Sequence, residues 1–218
     1  MRTMTVPSPE PEPRFVPSFG GAAPVETASS VSLVSLGAPV LRTVCEPTAH
    51  VVRDELEDLA DRLTAVLLDR DALGVAAPQI GASIRMVVLN AAHMCQIADR
   101  VGHRDAVIHL DPSWEAVAAE EHGVPEYAAD FEGCLSVPRI SGVVERSRYV
   151  RYRATTPEGS RVDWFLRGRA ARVVQHEVDH LDGVLIVDRA PGRSLCTFGS
   201  VDRFYRGDAG VAARELVF

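Results

Sequence analysis

The sequence predicts an α+β fold, because helix-like and strand-like patterns both occur in it and do not alternate regularly. Apolar residues recur at helical spacing over residues 52–70, which predicts an amphipathic helix that packs on the core. A second helix is predicted over residues 168–182, and Gly183 is well placed to end it. Strands are predicted at residues 83–90 and 106–110. Residues 142–167 are predicted to form a hairpin with its turn around Pro157 and Gly159.

Shorter segments complete the predicted fold. Residues 31–37 and 184–189 are predicted to be strands, whereas residues 74–81 and 115–133 are expected to be irregular. Residues 1–30 are rich in Pro, Ser, Gly and Glu and can bury little apolar surface, which predicts a disordered tail. The chain shows no repeat and no internal linker, so the remainder is expected to form one domain.

The composition is that of an ordinary globular protein, with 46% hydrophobic and 24% charged residues among 218. Lys+Arg number 23 against 30 for Asp+Glu, and the resulting net charge of −7 argues against a nucleic-acid partner. No apolar run approaches the length of a membrane span, and the N-terminus lacks the pattern of a secretory signal. The four cysteines form no CxxC pair, which predicts reduced thiols in a cytoplasm.

The segment "QHEVDHLDG" at residues 175–183 carries the first chemical signal. Residues four apart share one face of a helix, so His176 and His180 could bind one metal ion with Glu177 beside it. The alternative is a helix with two histidines that are solvated or simply packed in the core. Apolar neighbours such as Val173 and Val178 favour an inward-facing helix and therefore the metal site.

The third ligand decides the class of metal site. A metzincin protease would place a histidine at position 186, where this chain has Ile186. Downstream carboxylates remain possible ligands, although none lies in an obvious helix, and they are Asp188, Asp202 and Glu215. An upstream ligand is favoured, and Cys134 in "EGCLSVP" offers a thiolate, which binds Fe²⁺ or Zn²⁺ strongly. Taken alone, Cys134 would more often be a small buried hydrophobic residue.

Three ordered segments resemble the motifs GxGxAAPQxG, EGCLSxP and HExDHxxG of the peptide deformylase family. They read "ALGVAAPQIG" (72–81), "EGCLSVP" (132–138) and "HEVDHLDG" (176–183). The resemblance covers residues 31–190, which are expected to form the metal-dependent deformylase domain, with 191–218 as its C-terminal extension. The fold that it implies has small antiparallel or mixed sheets packed around a central helix that carries HExxH.

The resemblance implies a reaction and a set of ligands. Cys134, His176 and His180 would hold one divalent metal ion, with the fourth position left for water. The family's native ion is Fe²⁺, which Zn²⁺, Ni²⁺ or Co²⁺ can replace. The reaction would be hydrolysis of the N-formyl group of formyl-methionyl nascent chains, with release of formate, as a step of N-terminal processing in protein biosynthesis.

The resemblance also implies catalytic roles for three residues. Glu177 would accept a proton from water and deliver it to the departing amine. The side-chain amide of Gln79 and the backbone N–H of Leu135 would stabilise the oxyanion. The alternative for Gln79 is an ordinary surface amide, although its place after Ala77 and Pro78 in a stiff loop favours a role.

Substrate binding follows from the same segments. Relatives bind formyl-methionyl chains as an added strand, and the backbone of Gly74 and Val75 would lie along one edge of the groove. The stretch at residues 140–142 is a candidate for the other edge. Leu73 and Val173 are expected to line the methionine pocket. N-formyl-methionyl peptides are thus the expected partners, with transient contact to the ribosome possible.

Several positions depart from the family or lack an assignment. Ala72 replaces the first glycine of the first motif, Asp111 stands before a proline where an asparagine is usual, and Ser147 follows Arg146 where a proline is often found. These changes leave the chemical groups intact but open the question of substrate preference. Two alternatives therefore stand: a specialised N-formyl substrate, or a non-catalytic metal-binding homologue. Glu132 is expected to be structural and to hold the turn at Cys134. Arg172 is common at its place in relatives and Arg169 has no assignment, and the alternative for both is a solvated charge on the helix.

Overall fold

The computed structural model describes residues 31–102, 105–118 and 123–218. The tail predicted for residues 1–30 lies outside this part of the chain. The helices are α1 (Arg53–Asp69), α2 (Cys95–Val101), α3 (Gly168–Leu181), α4 (Ile186–Arg189), α5 (Phe198–Ser200), which continues into a π-helix (Val201–Tyr205), and α6 (Ala209–Leu216). Short 3₁₀ turns occur at Pro39–Arg42, Thr48–His50, Ala77–Ile80, Ala91–His93 and Gly192–Ser194. The strands are β1 (Gly74–Ala76), β2 (Met86–Asn90), β3 (Ala106–Ala116), β4 (Tyr127–Cys134), β5 (Val137–Ser147), β6 (Tyr149–Thr155), β7 (Arg161–Arg167) and β8 (Cys196–Thr197).

Two antiparallel sheets enclose helix α3. The five-stranded sheet has the order β1-β2-β3-β6-β7, and the three-stranded sheet has the order β4-β5-β8. Helix α3 contacts strands of both sheets, and most of its residues are buried. This arrangement confirms the predicted α+β fold with small sheets around a central helix. Within the described residues, no helix combines the length and the apolar character that crossing a membrane requires.

The two long helices form where the sequence predicts them. Helix α1 buries Leu63 and Leu67 against the five-stranded sheet, as its helical spacing requires. Gly183 follows the end of α3 with a φ of 72°, a left-handed conformation that suits glycine. A Cβ atom at Gly183 would lie 2.8 Å from the carbonyl carbon of Arg42, so this position excludes a side chain.

The hairpin predicted over residues 142–167 is only partly right. Strands β6 and β7 pair as predicted, and the turn between them runs through Pro157 and Gly159. Residues 142–147 instead belong to β5, which pairs with β4 and β8 in the other sheet. The chain therefore changes sheets at Arg148, a crossing that local strand patterns cannot show, because alternation does not specify the partner strand.

Four shorter predictions are wrong in whole or in part. Residues 31–37 form no strand, although their backbone donates single bonds from Val34 to Gln79 and from Leu36 to Ser136. Residues 184–189 contain helix α4, because the Asp188 carboxylate accepts from the N–H of Leu185 at 2.7 Å and caps its first turn. Within the stretch 115–133, most of β4 replaces the expected loop. Part of 74–81, expected to be irregular, is strand β1.

Candidate metal centre and catalytic groups

Three candidate metal ligands converge where α3 meets the end of β4. One ligand atom each from Cys134, His176 and His180 lies within 4.8 Å of the others. Cys134 Sγ is 3.2 Å from His180 Nε2, and both side chains are buried. Helical spacing places both histidines on one face of α3, and the β4–β5 turn presents the cysteine from the other side. The structure therefore brings together the three predicted ligands.

A buried carboxylate holds one of the two histidines. Glu132 Oε2 lies 3.1 Å from His176 Nδ1, which fixes the proton on that nitrogen and leaves Nε2 for a metal. Arg146 donates two bonds to the same carboxylate, at 3.0 and 2.9 Å, and Arg172 donates a third at 2.7 Å. Burial would raise the pKa of Glu132, but His176 and Arg146 hold it well below its usual range. Arg172 is therefore an ion-pair partner and not a solvated charge.

The same charge network continues along α3. Arg146 also donates to Asp179, and Arg189 on α4 donates two bonds of 2.5 Å to that carboxylate. Burial would lower the pKa of Arg146, but Glu132 and Asp179 raise it. Sequence reasoning gave no role to Asp179 or Arg189. Asp179 lies 33 positions from Arg146 and 10 positions from Arg189. These residues meet only in the folded chain, so no local spacing in the sequence indicates the contacts.

The cysteine and the histidines shift each other's proton affinity. Burial would raise the pKa of the Cys134 thiol, but the imidazoles of His180 and His176 hold it well below its usual range. Burial would lower the pKa of His176, but hydrogen bonds with Cys134 and Glu132 raise it well above its usual range. The site thus stabilises a thiolate beside a positive charge, and a divalent cation can take the place of that proton.

Glu177 lies beside the metal ligands, and no ion pair joins it to another residue in the part of the chain that the structure describes. It is 4% exposed, and its Oε2 atom accepts no hydrogen bond from any described residue. Burial raises the pKa of Glu177, although His176 and His180 oppose the rise. A Cβ atom on Gly74 would lie 2.6 Å from Glu177 Oε1, so only glycine at this position lets β1 approach the carboxylate.

The two predicted oxyanion donors come from opposite sides. Gln79 is buried, and its Oε1 atom accepts from the N–H of Ala76 at 2.9 Å. This bond turns the amide Nε2 toward Cys134 Sγ, at 3.7 Å. Leu135 follows Cys134 directly in the two-residue turn that joins β4 to β5. Both groups therefore flank the metal ligands, and Gln79 is not a surface amide.

Each sheet brings an edge strand to this site, β1 beside Glu177 and β4 at Cys134. β1 ends one sheet and β4 ends the other. The Leu73 carbonyl accepts from the N–H of Asn90, and the alternation of an antiparallel ladder then directs the Gly74 N–H and C=O to the open edge. Residues 140–142 do not form the second edge, because Ile140 and Ser141 pair with β8. The outer edge of β4 is the remaining candidate.

The predicted substrate-binding residues occupy different surroundings. Leu73 is partly buried and packs against the apolar cluster that contains Val173. Val173 is 7% exposed and lies one turn before His176 on α3. Val75 is fully buried in a second cluster with α1 residues such as Leu63, so only its backbone could contact a ligand in the groove.

One departure from the family has a structural consequence at Ser147. The side chain of Gln175 accepts from the Ser147 N–H at 3.0 Å and donates to the Ser147 carbonyl at 2.9 Å. Proline lacks the N–H that the first bond needs. Gln175 precedes His176, so these bonds attach α3 to the end of β5 next to the metal ligands.

A cysteine and two histidines beside a buried glutamate, on a helix enclosed by two antiparallel sheets, define a metal-dependent hydrolase. A sequence model of the polypeptide deformylase family matches residues 31–194. The chain therefore belongs to the polypeptide deformylase family. It is 38% identical over 170 residues to peptide deformylase 1 of Streptomyces coelicolor, and the match covers 76% of this chain and 75% of that relative.

Solved structures give the same result. The chain is similar to a peptide deformylase from Synechococcus elongatus in complex with actinonin, with 28% sequence identity and a TM-score of 0.64. That match covers 78% of this chain and 84% of the other. A peptide deformylase from Acinetobacter baumannii with bound Met-Ala-Ser is 32% identical with a TM-score of 0.60, over 73% of this chain and 97% of the other.

The family assignment confirms several predictions. The chain is a hydrolase of the deformylase family that removes the N-formyl group from polypeptides, as the motifs indicated. The family depends on a metal ion, and the described residues contain a group that can hold one. Its substrates are peptides.

Proposed function

We propose that Cys134, His176 and His180 hold one divalent cation and that Glu177 moves the protons of the deformylase reaction. The observation that carries this proposal is the convergence of three ligand atoms within 4.8 Å beside Glu177 Oε2, a buried oxygen without a partner among the described residues. Bonds of about 2.0–2.3 Å to a tetrahedral ion require ligand atoms about 3.4–3.6 Å apart. The 3.2 Å between Cys134 Sγ and His180 Nε2 is close to that requirement.

The protein groups around the cation would divide the work. A bound divalent cation supplies a more acidic water and polarises the formyl oxygen. Glu177 would accept the proton of the attacking water and pass it to the amine that leaves, since its buried Oε2 atom has no hydrogen-bond partner among the described residues. Glu132 keeps His176 in the tautomer that binds through Nε2.

Two donors would stabilise the negative oxygen that forms during attack. The Gln79 amide is already oriented, because its oxygen is bound to the Ala76 N–H and its nitrogen faces the ligands. The Leu135 N–H lies in the turn next to Cys134. Donors fixed before the reaction lose no free energy to reorganisation, which makes them effective in a buried site.

The groove between the edges of β1 and β4 would bind an N-formyl-methionyl peptide as an added strand. The Gly74 backbone provides a donor and an acceptor at the open edge, and Leu73 and Val173 would contact the methionine side chain. The relative from Acinetobacter baumannii was solved with Met-Ala-Ser, the product that such a peptide would give.

The metal would be Fe²⁺ in the cell, with Zn²⁺, Ni²⁺ or Co²⁺ as replacements. The single thiolate of Cys134 with two imidazoles suits these borderline ions. Fe²⁺ beside a thiolate is readily oxidised, so aerobic handling should abolish activity that Ni²⁺ loading preserves. Metal analysis of enzyme purified without oxygen tests the identity of the bound ion. Fully active enzyme that contains only zinc would contradict the assignment to Fe²⁺.

A cytoplasmic location and a transient contact with the ribosome belong to the same proposal, since nascent chains are the expected substrates. Residues 191–218 would extend the deformylase domain. The pairing of β8 with β5 supports this, as does the packing of α6 residues such as Ala212 against Phe131 of β4.

The test compares formyl-Met-Ala-Ser with acetyl-Met-Ala-Ser on nickel-loaded protein, with mass spectrometry of the products. Formate and Met-Ala-Ser should form from the first peptide, and the second should react far more slowly. Gly74 and Gly133 let backbone close in around the metal, so the extra methyl group would clash. Cleavage of an internal peptide bond would overturn the proposal. No reaction with any formyl-methionyl peptide would point to a specialised N-formyl substrate.

A further inference from the structure

A short N-terminal segment is hydrogen-bonded to the two segments that carry the oxyanion donors. The backbone N–H of Val34 donates to the carbonyl of Gln79 at 2.8 Å. Two residues later, the N–H of Leu36 donates to the carbonyl of Ser136 at 2.7 Å. Residues 34–36 therefore form a strap from the loop after β1 to the turn between β4 and β5.

The strap reaches each donor through a short covalent path. Gln79 is itself the donor residue of its loop, and its side-chain oxygen is bound to the N–H of Ala76. Ser136 follows Leu135 directly, and these two residues make up the whole turn between β4 and β5. A displacement of either carbonyl that the strap binds would therefore move the donor group beside it.

Apolar side chains hold the same N-terminal segment against both donor segments. Leu33 and Leu135 pack against one apolar cluster, which also contains buried residues of the 3₁₀ turn Ala77–Ile80. Val34 packs against a different cluster, which contains Cys134. Adjacent side chains of an extended chain point to opposite sides, which is how Leu33 and Val34 enter separate clusters.

The chain that follows the strap is fixed to the third motif. The N–H of Cys45 donates to the carbonyl of Leu181 at 2.8 Å, at the end of α3. The backbone of Arg42 lies so close to Gly183 that a Cβ atom there would be 2.8 Å from the Arg42 carbonyl. Residues 34–45 thus contact all three motif segments, and the strap cannot slide along its length without loss of these contacts.

We propose that the strap is a positioning element that sets the separation of the two oxyanion donors. In the proposed function, on which this rests, Gln79 and Leu135 stabilise the oxyanion. Alternate residues of an extended chain lie about 6.4–6.8 Å apart, so the two strap bonds hold their acceptors at one spacing. Strand pairing leaves this spacing open, because β1 belongs to one sheet and β4 to the other. Donors that are fixed before the reaction stabilise an oxyanion most effectively.

The test compares Leu36→Pro with Leu36→Ala in the nickel-loaded full chain. Proline lacks the N–H that donates to Ser136, whereas alanine keeps it. With formyl-Met-Ala-Ser as substrate, Leu36→Pro should lower kcat by about 10–100-fold, because a displaced donor loses much of its effect on the transition state. KM and bound nickel should stay those of the parent, since the lost bond acts on the transition state alone. Leu36→Ala should keep the parent kcat.

The local backbone accepts proline at position 36. The N–H of Ala38 donates to the carbonyl of Ser35 at 3.2 Å and closes a turn with Leu36 at its second position. Gly37 holds the third position with a φ of 104°, and proline is favoured at the second position of such a turn. The side chain of Leu36 is 47% exposed, so the two variants differ mainly in the N–H.

A magnetic resonance signal reports the donor itself without any turnover. Cys134 and Leu135 form the one Cys-Leu pair in the sequence, so ¹³C-cysteine and ¹⁵N-leucine labels together select the Leu135 N–H. In zinc-loaded protein, Leu36→Pro should shift this signal, and Leu36→Ala should leave it in place.

A loss of kcat together with a shifted Leu135 signal, in Leu36→Pro but not in Leu36→Ala, supports the strap. Parent kcat in Leu36→Pro, an equal loss in both variants, or loss of nickel along with activity would overturn it. If Leu36→Pro fails to fold, as urea unfolding shows, Val34→Pro against Val34→Ala repeats the comparison at the bond to Gln79. If the parent releases no formate from this peptide, the proposed function fails, and the Leu135 signal alone decides whether the strap holds that N–H.

Discussion

The metal centre and the five-stranded sheet each hold a histidine that is largely shielded from solvent, but the two surroundings shift its pKa in opposite directions. His176 lies among Glu132 and Cys134, which raise its pKa well above the usual range against the effect of burial. Among the described residues, His109 has the hydroxyl of Tyr152 as its hydrogen-bond partner, and burial lowers its pKa to about 4. A buried imidazole thus becomes a charged group or a neutral donor according to whether carboxylates or neutral groups surround it.

Buried polar groups find their hydrogen-bond partners in two different ways in this protein. Around α3, Arg146 joins Glu132 and Asp179 in a network in which each charge has an opposite partner. His109 instead has a neutral partner, the hydroxyl of Tyr152, which lies 2.9 Å from its Nδ1 atom. The first arrangement fixes the metal ligands in place, and the second keeps a neutral imidazole in the core. Four substitutions test this difference.

Replacement of a metal ligand should have the largest effect. Cys134→Ala removes one of the three bonds between the protein and the metal. Loss of a hydrogen bond to a metal ligand already lowers metal affinity by about 10–100-fold, so loss of a ligand should lower it by at least about 100-fold. Activity should fall with it. Metal content after dialysis at low protein concentration measures the change. Cys196→Ala is the control, since Cys196 lies away from the ligand group and should keep full metal. Full metal retention by Cys134→Ala would refute the three-ligand site.

Glu177→Gln should separate proton transfer from metal binding. The amide cannot accept the water proton, so formate release should fall by about 10²–10⁴-fold. Metal content should remain that of the parent, because Glu177 is not among the three converging ligands. Parallel assays of formate and of bound metal check both statements. Loss of metal together with activity would instead identify Glu177 as a ligand.

Arg146→Met should break the charge network and lower the free energy of unfolding by about 3 kcal/mol, because it leaves two buried carboxylates short of a partner. Urea unfolding of the metal-free protein measures this loss without the contribution of the ion. Arg151→Met is the matched control, since Arg151 pairs with Asp163 at the surface and should have little effect. Equal losses in the two variants would show that the buried network is not special.

The pH dependence of stability should reveal the neutral state of His109. The unfolded chain binds a proton on this histidine near pH 6.5, whereas the native state does so only near pH 4. Stability from this group is therefore complete above pH 6.5 and is lost as the pH falls toward 4, by up to about 3 kcal/mol. His109→Phe should remove that part of the slope, as urea unfolding at pH 7 and pH 4.5 can show. An unchanged slope would mean that His109 is charged or exposed in the native state.

Local patterns in the sequence determined much of this protein. The apolar spacing of residues 52–70 and 168–182 places α1 and α3 correctly, because a helix is formed by contacts three and four residues apart. The second and third motifs contain the three ligands that converge at the metal centre, and the order of the three motifs along the chain is enough to indicate the family. The HExxH spacing alone puts His176 and His180 on one face.

Only the tertiary structure decided which strands and charges meet. Residues 142–147 look like part of the β6–β7 hairpin, yet they pair with β4, since strand alternation fixes a face and not a partner. Residues 184–189 are apolar enough for a strand, but the Asp188 cap closes them into α4. The links of Arg146 to Glu132 and Asp179 span 14 and 33 positions. Contacts at such separations arise when the chain packs, and no local spacing encodes them.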